Sequence, residues 1–220
     1  MDIQMDKLNE MLIEMGRSVE FAISLATDAL IKKDAAIAEQ AIQAESEVNG
    51  QERDIEGLCT KILLLQNPVA HDLRMVRAAS KMITDMERIG DQATDIAEIC
   101  LILCEHEYIM PLSSIQSMGE AAVKMVNQSI DAFVKKDEAL AASVILSDDY
   151  IDNLFTQTKD KLYELMLANV ENSRQALDLL MIAKYYERIG DHAANIAERV
   201  IFSITGEEKK EIHKRLKQKK

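Results

Sequence analysis

The sequence predicts an all-α protein built from two tandem, pseudo-symmetric three-helix antiparallel bundles. Three observations carry that expectation. Ala, Leu, Ile, Met, Glu and Lys dominate a chain with only two prolines, seven glycines and 4% aromatic residues, the composition of long helices rather than strands. Apolar residues recur with a period near 3.6 almost throughout. The segment MERIGDQATDIAE, from Met86 to Glu98, returns about 100 residues later as YERIGDHAANIAE, from Tyr186 to Glu198, which marks an internal duplication. Hydrophobic residues at 48% supply a continuous core, and charged residues at 29% a polar exterior.

The elements follow in order. A first helix is expected from about Lys7 to Ile31, stopping at Lys32-Lys33-Asp34. A second runs from Ala35 to Leu65 and breaks at Asn67-Pro68, because the residue before proline avoids the α region and proline suits a first helical turn. A third covers Val69 to Cys104. Pro111 and Leu112-Ser113-Ser114 then open a fourth helix reaching Lys135, and Lys136-Asp137 repeats the break at Lys33-Asp34. The fifth spans Glu138 to Leu167. The polar turn Asn169 to Ser173 leads into a sixth, which Gly206 stops after Thr205. Short connections favour antiparallel neighbours. Residues 1–108 therefore form the first bundle and 109–206 the second, with 207–220 a basic tail read as a frayed, solvated end.

Charge and motifs narrow the function. A net charge of −12 argues against sequence-independent nucleic-acid binding and against anionic membrane surfaces, and suits cations or basic partner surfaces. The N-terminus lacks a signal-peptide pattern, and no apolar run approaches ~18 residues, so a cytoplasmic protein without membrane insertion is expected. Cys59, Cys100 and Cys104 fall in apolar helical stretches and read as buried thiols, rather than as a soft-metal site on the i, i+4 pair. No Gly-rich phosphate loop, activated serine, Cys-His pairing or Glu-x-x-His di-iron pattern is present. His192, which replaces Gln92 beside the second acidic stripe, reads as a surface histidine rather than as a metal ligand.

The duplicated segment carries an acidic stripe. Glu87, Asp91, Asp95 and Glu98 step by four, four and three residues and fall within an arc of about 80°, opposite Met82, Met86, Ile89, Ala93, Ile96 and Cys100. Glu187, Asp191, Asn195 and Glu198 repeat the stripe against Met181, Ile189, Ala193 and Ile196. An ordinary helix face mixes signs, since like charges at i, i+4 repel. Gly90 and Gly190 sit mid-helix at a cost of about 1 kcal/mol each relative to Ala, which predicts a close helix contact beside each stripe. Reflection through the intervening turn sets Glu87 and Asp91 level with Asn49 and Glu45, and Glu187 and Asp191 level with Asp152 and Asp148. Paired carboxylates across a groove suit hard cations: Mg, Mn or Ca, or oxidised iron where clusters form.

With these residues in view, the sequence resembles the PhoU family of phosphate-transport regulators. The likeness is carried by Gln66-Asn67-Pro68-Val69-Ala70-His71-Asp72-Leu73-Arg74, by Asp85-Met86-Glu87-Arg88-Ile89-Gly90-Asp91, and by the segment from Tyr186 to Glu198. The resemblance implies multinuclear metal sites on the bundle surface, with iron the expected metal and Zn, Mn or Mg the alternatives. Glu87, Asp91, Glu187 and Asp191 are the firm ligands by position. Asp95, Asn195, Asp148, Asp152, Glu45 and Asn49 follow, and Asn49 departs from the Glu/Asp-x-x-x-Asp pattern. The resemblance also implies a non-enzymatic regulator that restrains high-affinity phosphate uptake and the starvation response; a homodimer is expected of a flat helical protein. Its implied partners are the ATPase subunit of a phosphate ABC transporter and a sensor histidine kinase. A carboxylate-metal enzyme and a metal-free helical adaptor stand as the alternatives.

Overall fold

The computed structural model describes residues 2–65 and 68–218; the expected break at Asn67 and the last lysines of the tail, Lys219 and Lys220, lie outside them. Seven α-helices are described: α1 (Asp2–Lys32), α2 (Ala35–Leu65), α3 (Ala70–Leu103), α4 (Ser113–Lys135), α5 (Glu138–Ala168), α6 (Ser173–Thr205) and α7 (Lys209–Lys217). A 3-10 turn, Val170–Asn172, precedes α6.

Local chemistry sets the boundaries. At the two matching breaks Lys33 and Lys136 adopt φ of 54° and 53°, the left-handed conformation that ends a helix. The aspartate that follows caps the next helix: Asp34 Oδ1 accepts the Ala36 N–H at 2.9 Å, and Asp137 Oδ1 the Leu140 N–H at 2.9 Å. Gly206, at φ 79°, ends α6 as expected. α1 starts at Asp2 rather than near Lys7, because Met5 already packs on the core beside Leu8.

The tail departs from expectation. It forms α7 instead of a frayed end, with Glu208 and Glu211 closing a capping box and Ile212 and Leu216 buried one turn apart. Nine residues are too few for a stable isolated helix, so docking onto α6 holds it. A basic run with only two apolar residues hides that dependence.

α2 packs on α1 and α3, and α5 on α4 and α6, while α3–α6 and α1–α4 join the halves. The core runs without interruption through both halves. At its centre Tyr186, fully buried on α6, meets Thr27 of α1: the Thr27 hydroxyl donates to Ile23 O (2.8 Å) and accepts from the Tyr186 hydroxyl (2.7 Å). The segment between α3 and α4 is tied down, with the Ile109 N–H donating to Gln175 Oε1 at 2.7 Å. No helix among the described residues is long and apolar enough to cross a membrane.

Candidate functional site

The α2–α3 and α5–α6 pairs each form a groove floored by a glycine. A Cβ on Gly90 would lie 3.1 Å from Val48 Cγ1, and one on Gly190 would lie 3.0 Å from Asp148 Oδ1 and 3.1 Å from Ile151 Cδ1. Val48 and Ile151 are thus equivalent, which makes Glu45 and Asn49 the counterparts of Asp148 and Asp152. The register read from the turns is the observed one. The close contacts expected beside the stripes are present.

In the α5–α6 groove the carboxylates act on one another. Asp148 is pushed up to about 7, first by burial and then by Asp191, Asp152, Glu187 and Asp149. Its Oδ1 is shut off from solvent with no hydrogen-bond partner. Burial and Glu187 also raise Asp191, which Lys184 and His192 partly offset, and burial and Glu187 raise Asp152. Lys184 Nζ donates to Glu187 Oε1 at 2.6 Å and sits 5.3 Å above the Phe155 ring.

The remainder of this stripe turns elsewhere. Asn195 accepts from Lys209 Nζ at 3.0 Å and leans toward Asp85 of α3. Glu198, expected on an open face, is 6% exposed, because α7 covers it: Lys209 Nζ lies 2.9 Å from its Oε2 and His213 Nε2 2.6 Å from its Oε1. His192 is not a free surface histidine but bridges the halves, its Nδ1 2.9 Å from Asp85 Oδ1. Met181, assigned to the core side, is 44% exposed, since no helix covers α6 at that position.

The α2–α3 groove is weaker. Arg88 reaches both stripe acids, Glu87 Oε2 at 3.4 Å and Asp91 Oδ2 at 3.2 Å. Asn49 Nδ2 donates to Glu45 Oε1 at 3.3 Å, so Asn49 holds a carboxylate where Asp152 would repel one. Burial and Asp91 raise Glu87, against Arg88, with Glu52 and Glu45 adding to the shift. Glu52 is a groove member that the sequence reading omits. Burial raises it too, followed by Glu56. Its signal was the 4, 3 spacing of Glu45, Asn49 and Glu52, the same as that of Asp91, Asp95 and Glu98. Burial, Glu98 and Asp91 raise Asp95, which accepts a hydrogen bond from Tyr185 of α6.

The Cys100 thiol is buried and pushed up to about 12 by burial, as a core thiol should be. Among the described residues no three His, Cys, Asp or Glu side chains converge on a common point at ligating distance. The donor chemistry nonetheless fits a hard cation in the α5–α6 groove. Four mutually repelling carboxylates, one with an unpartnered buried oxygen, are what a cation would neutralise. Arg88 leaves the α2–α3 groove less in need of one.

Comparison with known proteins agrees with this architecture. The PhoU domain model matches residues 12–100 and 115–200. An Aquifex aeolicus protein named phosphate-specific transport system accessory protein PhoU homolog is 37% identical over 98% of this chain and 97% of its own. A Pseudomonas putida protein of the same name is 34% identical over 92% and 80%. Among solved structures, PhoU from Pseudomonas aeruginosa superposes with a TM-score of 0.90 at 33% identity, covering 94% of this chain and 99% of that one. The phosphate transport system regulatory protein PhoU from Streptococcus pneumoniae gives 0.86 at 29%, covering 94% and 97%.

Proposed function

Since this chain belongs to the PhoU family, a family of non-enzymatic accessory proteins, we propose that it restrains high-affinity phosphate uptake and the phosphate-starvation response by contact with the transport machinery, and that a cation in the α5–α6 groove sets its conformation for that contact. The partners in this reading are the transporter's ATPase subunit and the sensor histidine kinase. One observation carries the cation: Asp148 Oδ1 sits buried and unpartnered among Asp152, Glu187 and Asp191, a grouping that costs stability unless positive charge enters it. Asp148, Asp152, Glu187 and Asp191 would hold the ion, with Lys184 releasing Glu187. Glu87, Asp91, Glu45 and Glu52 would form a second, weaker site. Hard oxygen donors favour Mg, Mn or oxidised iron there.

The test is genetic and analytical together. A strain lacking the chain should take up phosphate without repression in phosphate-rich medium. Wild type should restore repression, and Asp148→Asn/Asp191→Asn should not. Elemental analysis of the purified protein should find metal in wild type and a reduced content in the double variant. Repression restored by a metal-free double variant would leave a metal-free adaptor as the correct reading.

A further inference from the structure

The duplication has diverged at one place away from the acidic grooves. On the pseudo-symmetric 100-residue offset, Arg77, Ser80 and Lys81 of α3 stand where α6 has Leu177, Leu180 and Met181. Arg199 of α6 stands where α3 has Ile99. Four positions that are apolar in one copy are thus polar in the other, and three of them carry positive charge in a chain of net charge −12.

Those four side chains line one open cleft of about 180 Å³ where α3 and α6 pack, bordered also by Leu63 of α2, by Ala78 and Phe202, and by Glu208 just ahead of α7. Arg77 is held over the Phe202 ring at 5.6 Å, which aims its guanidinium without neutralising it. Arg199 is partly buried, and its Nε is shut off from solvent with no hydrogen-bond partner. Among the described residues neither Arg77, Lys81 nor Arg199 forms an ion pair. An unpaired, partly desolvated guanidinium is costly unless an anion completes it.

We propose that this cleft binds inorganic phosphate. Its volume lies below the roughly 300–1,000 Å³ of sites that enclose larger ligands, so it suits a small tetrahedral oxyanion. Guanidinium groups match phosphate oxygens in geometry, with Lys81 as a point charge and the Ser80 hydroxyl as a further donor. Glu208 supplies discrimination. Its carboxylate already accepts from the Glu211 backbone as the cap of α7, and it can also accept the proton of hydrogen phosphate. Sulfate has no such proton and meets only repulsion. The site does not depend on the cation grooves, and it would let phosphate itself bear on the junction of α6 and α7.

Equilibrium dialysis of the full chain with radiolabelled inorganic phosphate tests this, at constant ionic strength and with a chelator present, so that no metal-bridged phosphate contributes. The expected result is saturable binding of one phosphate per chain, weakened about tenfold or more by Arg199→Gln and by Lys81→Met, and unchanged by the remote Lys124→Gln. Lys81→Met installs the residue of the sister position, which guards against loss of fold. Circular dichroism of each variant should match wild type. No saturable binding up to about 10 mM phosphate would overturn the assignment, as would binding indifferent to both cleft variants. Equal competition by sulfate or by glycerol phosphate would overturn the choice of inorganic phosphate.

Discussion

Replacing Asp148 by Asn should stabilise the metal-free protein at high pH, relative to whatever constant difference the two proteins show at low pH. The Asp148 carboxyl is raised from its ordinary 3.8 to about 7 in the folded state, by burial and by Asp191, Asp152 and Glu187. At 1.36 kcal/mol per pH unit that difference corresponds to a ceiling of about 4 kcal/mol. The side chain is only partly buried, so solvent screening brings the figure to about 1–2 kcal/mol. The sign follows from linkage. Between 3.8 and 7 the folded chain holds a proton that the unfolded chain has lost, so stability falls as pH rises through that window. Well below 3.8 both states are protonated and the penalty is absent, and at pH 4 only a small part of it has developed. Asp148→Asn removes the titrating group. In chelator-treated protein its melting temperature should match wild type at pH 4, apart from a constant offset, and exceed that baseline by about 2–8 °C at pH 8. Adding a divalent cation at pH 8 should reverse the order, since wild type offers it four carboxylates and the variant three. Differential scanning calorimetry of the two proteins from pH 4 to 8 measures all three quantities. A wild-type-minus-variant difference that stays flat with pH would refute the electrostatic account of the groove.

Other perturbations probe its neighbours. Gly190→Ala gains about 1 kcal/mol of helix propensity but drives a methyl against the Asp148 carboxylate and Ile151, so cation affinity by calorimetric titration should drop more than thermal stability does. Glu198→Gln removes the charge that Lys209 and His213 share; hydrogen exchange should rise across 209–217, by an amount equivalent to about 1.5–3 kcal/mol, while α6 stays protected. Unchanged exchange in α7 would mean that Ile212 and Leu216 alone hold it. Tyr186→Phe deletes the buried bond to Thr27 but leaves the Thr27 hydroxyl paired to Ile23 O, so urea denaturation should show a loss of only about 1 kcal/mol.

Much of the molecule is legible in one dimension. Helical period, the paired Lys-Asp breaks at 33–34 and 136–137 and the stop at Gly206 are local signals, because capping and left-handed turns depend on residues within a few positions. The register of Glu45 and Asn49 against α3, and of Asp148 and Asp152 against α6, was also readable, since a short turn leaves two antiparallel helices little freedom to slide. Glu52 was missed because reflection through a turn names opposite residues one by one, whereas the charge field of a groove extends over a full turn of helix.

What a single sequence cannot encode locally is which long-range surface covers a side chain. Glu198 and Asp95 occupy successive steps of nearly identical stripes, yet α7 buries the first and Tyr185 of the opposite half engages the second. His192 and Asp85 are 107 residues apart and meet only because α3 and α6 pack together. Composition and pattern alone carry the long helices, the duplication and the two acidic stripes, because helical period and residue order are properties of the chain itself. The tertiary structure decided that those stripes are unequal. Burial and mutual repulsion concentrate at Asp148, while Arg88 relieves the first groove, because desolvation and charge act through space and not along the chain.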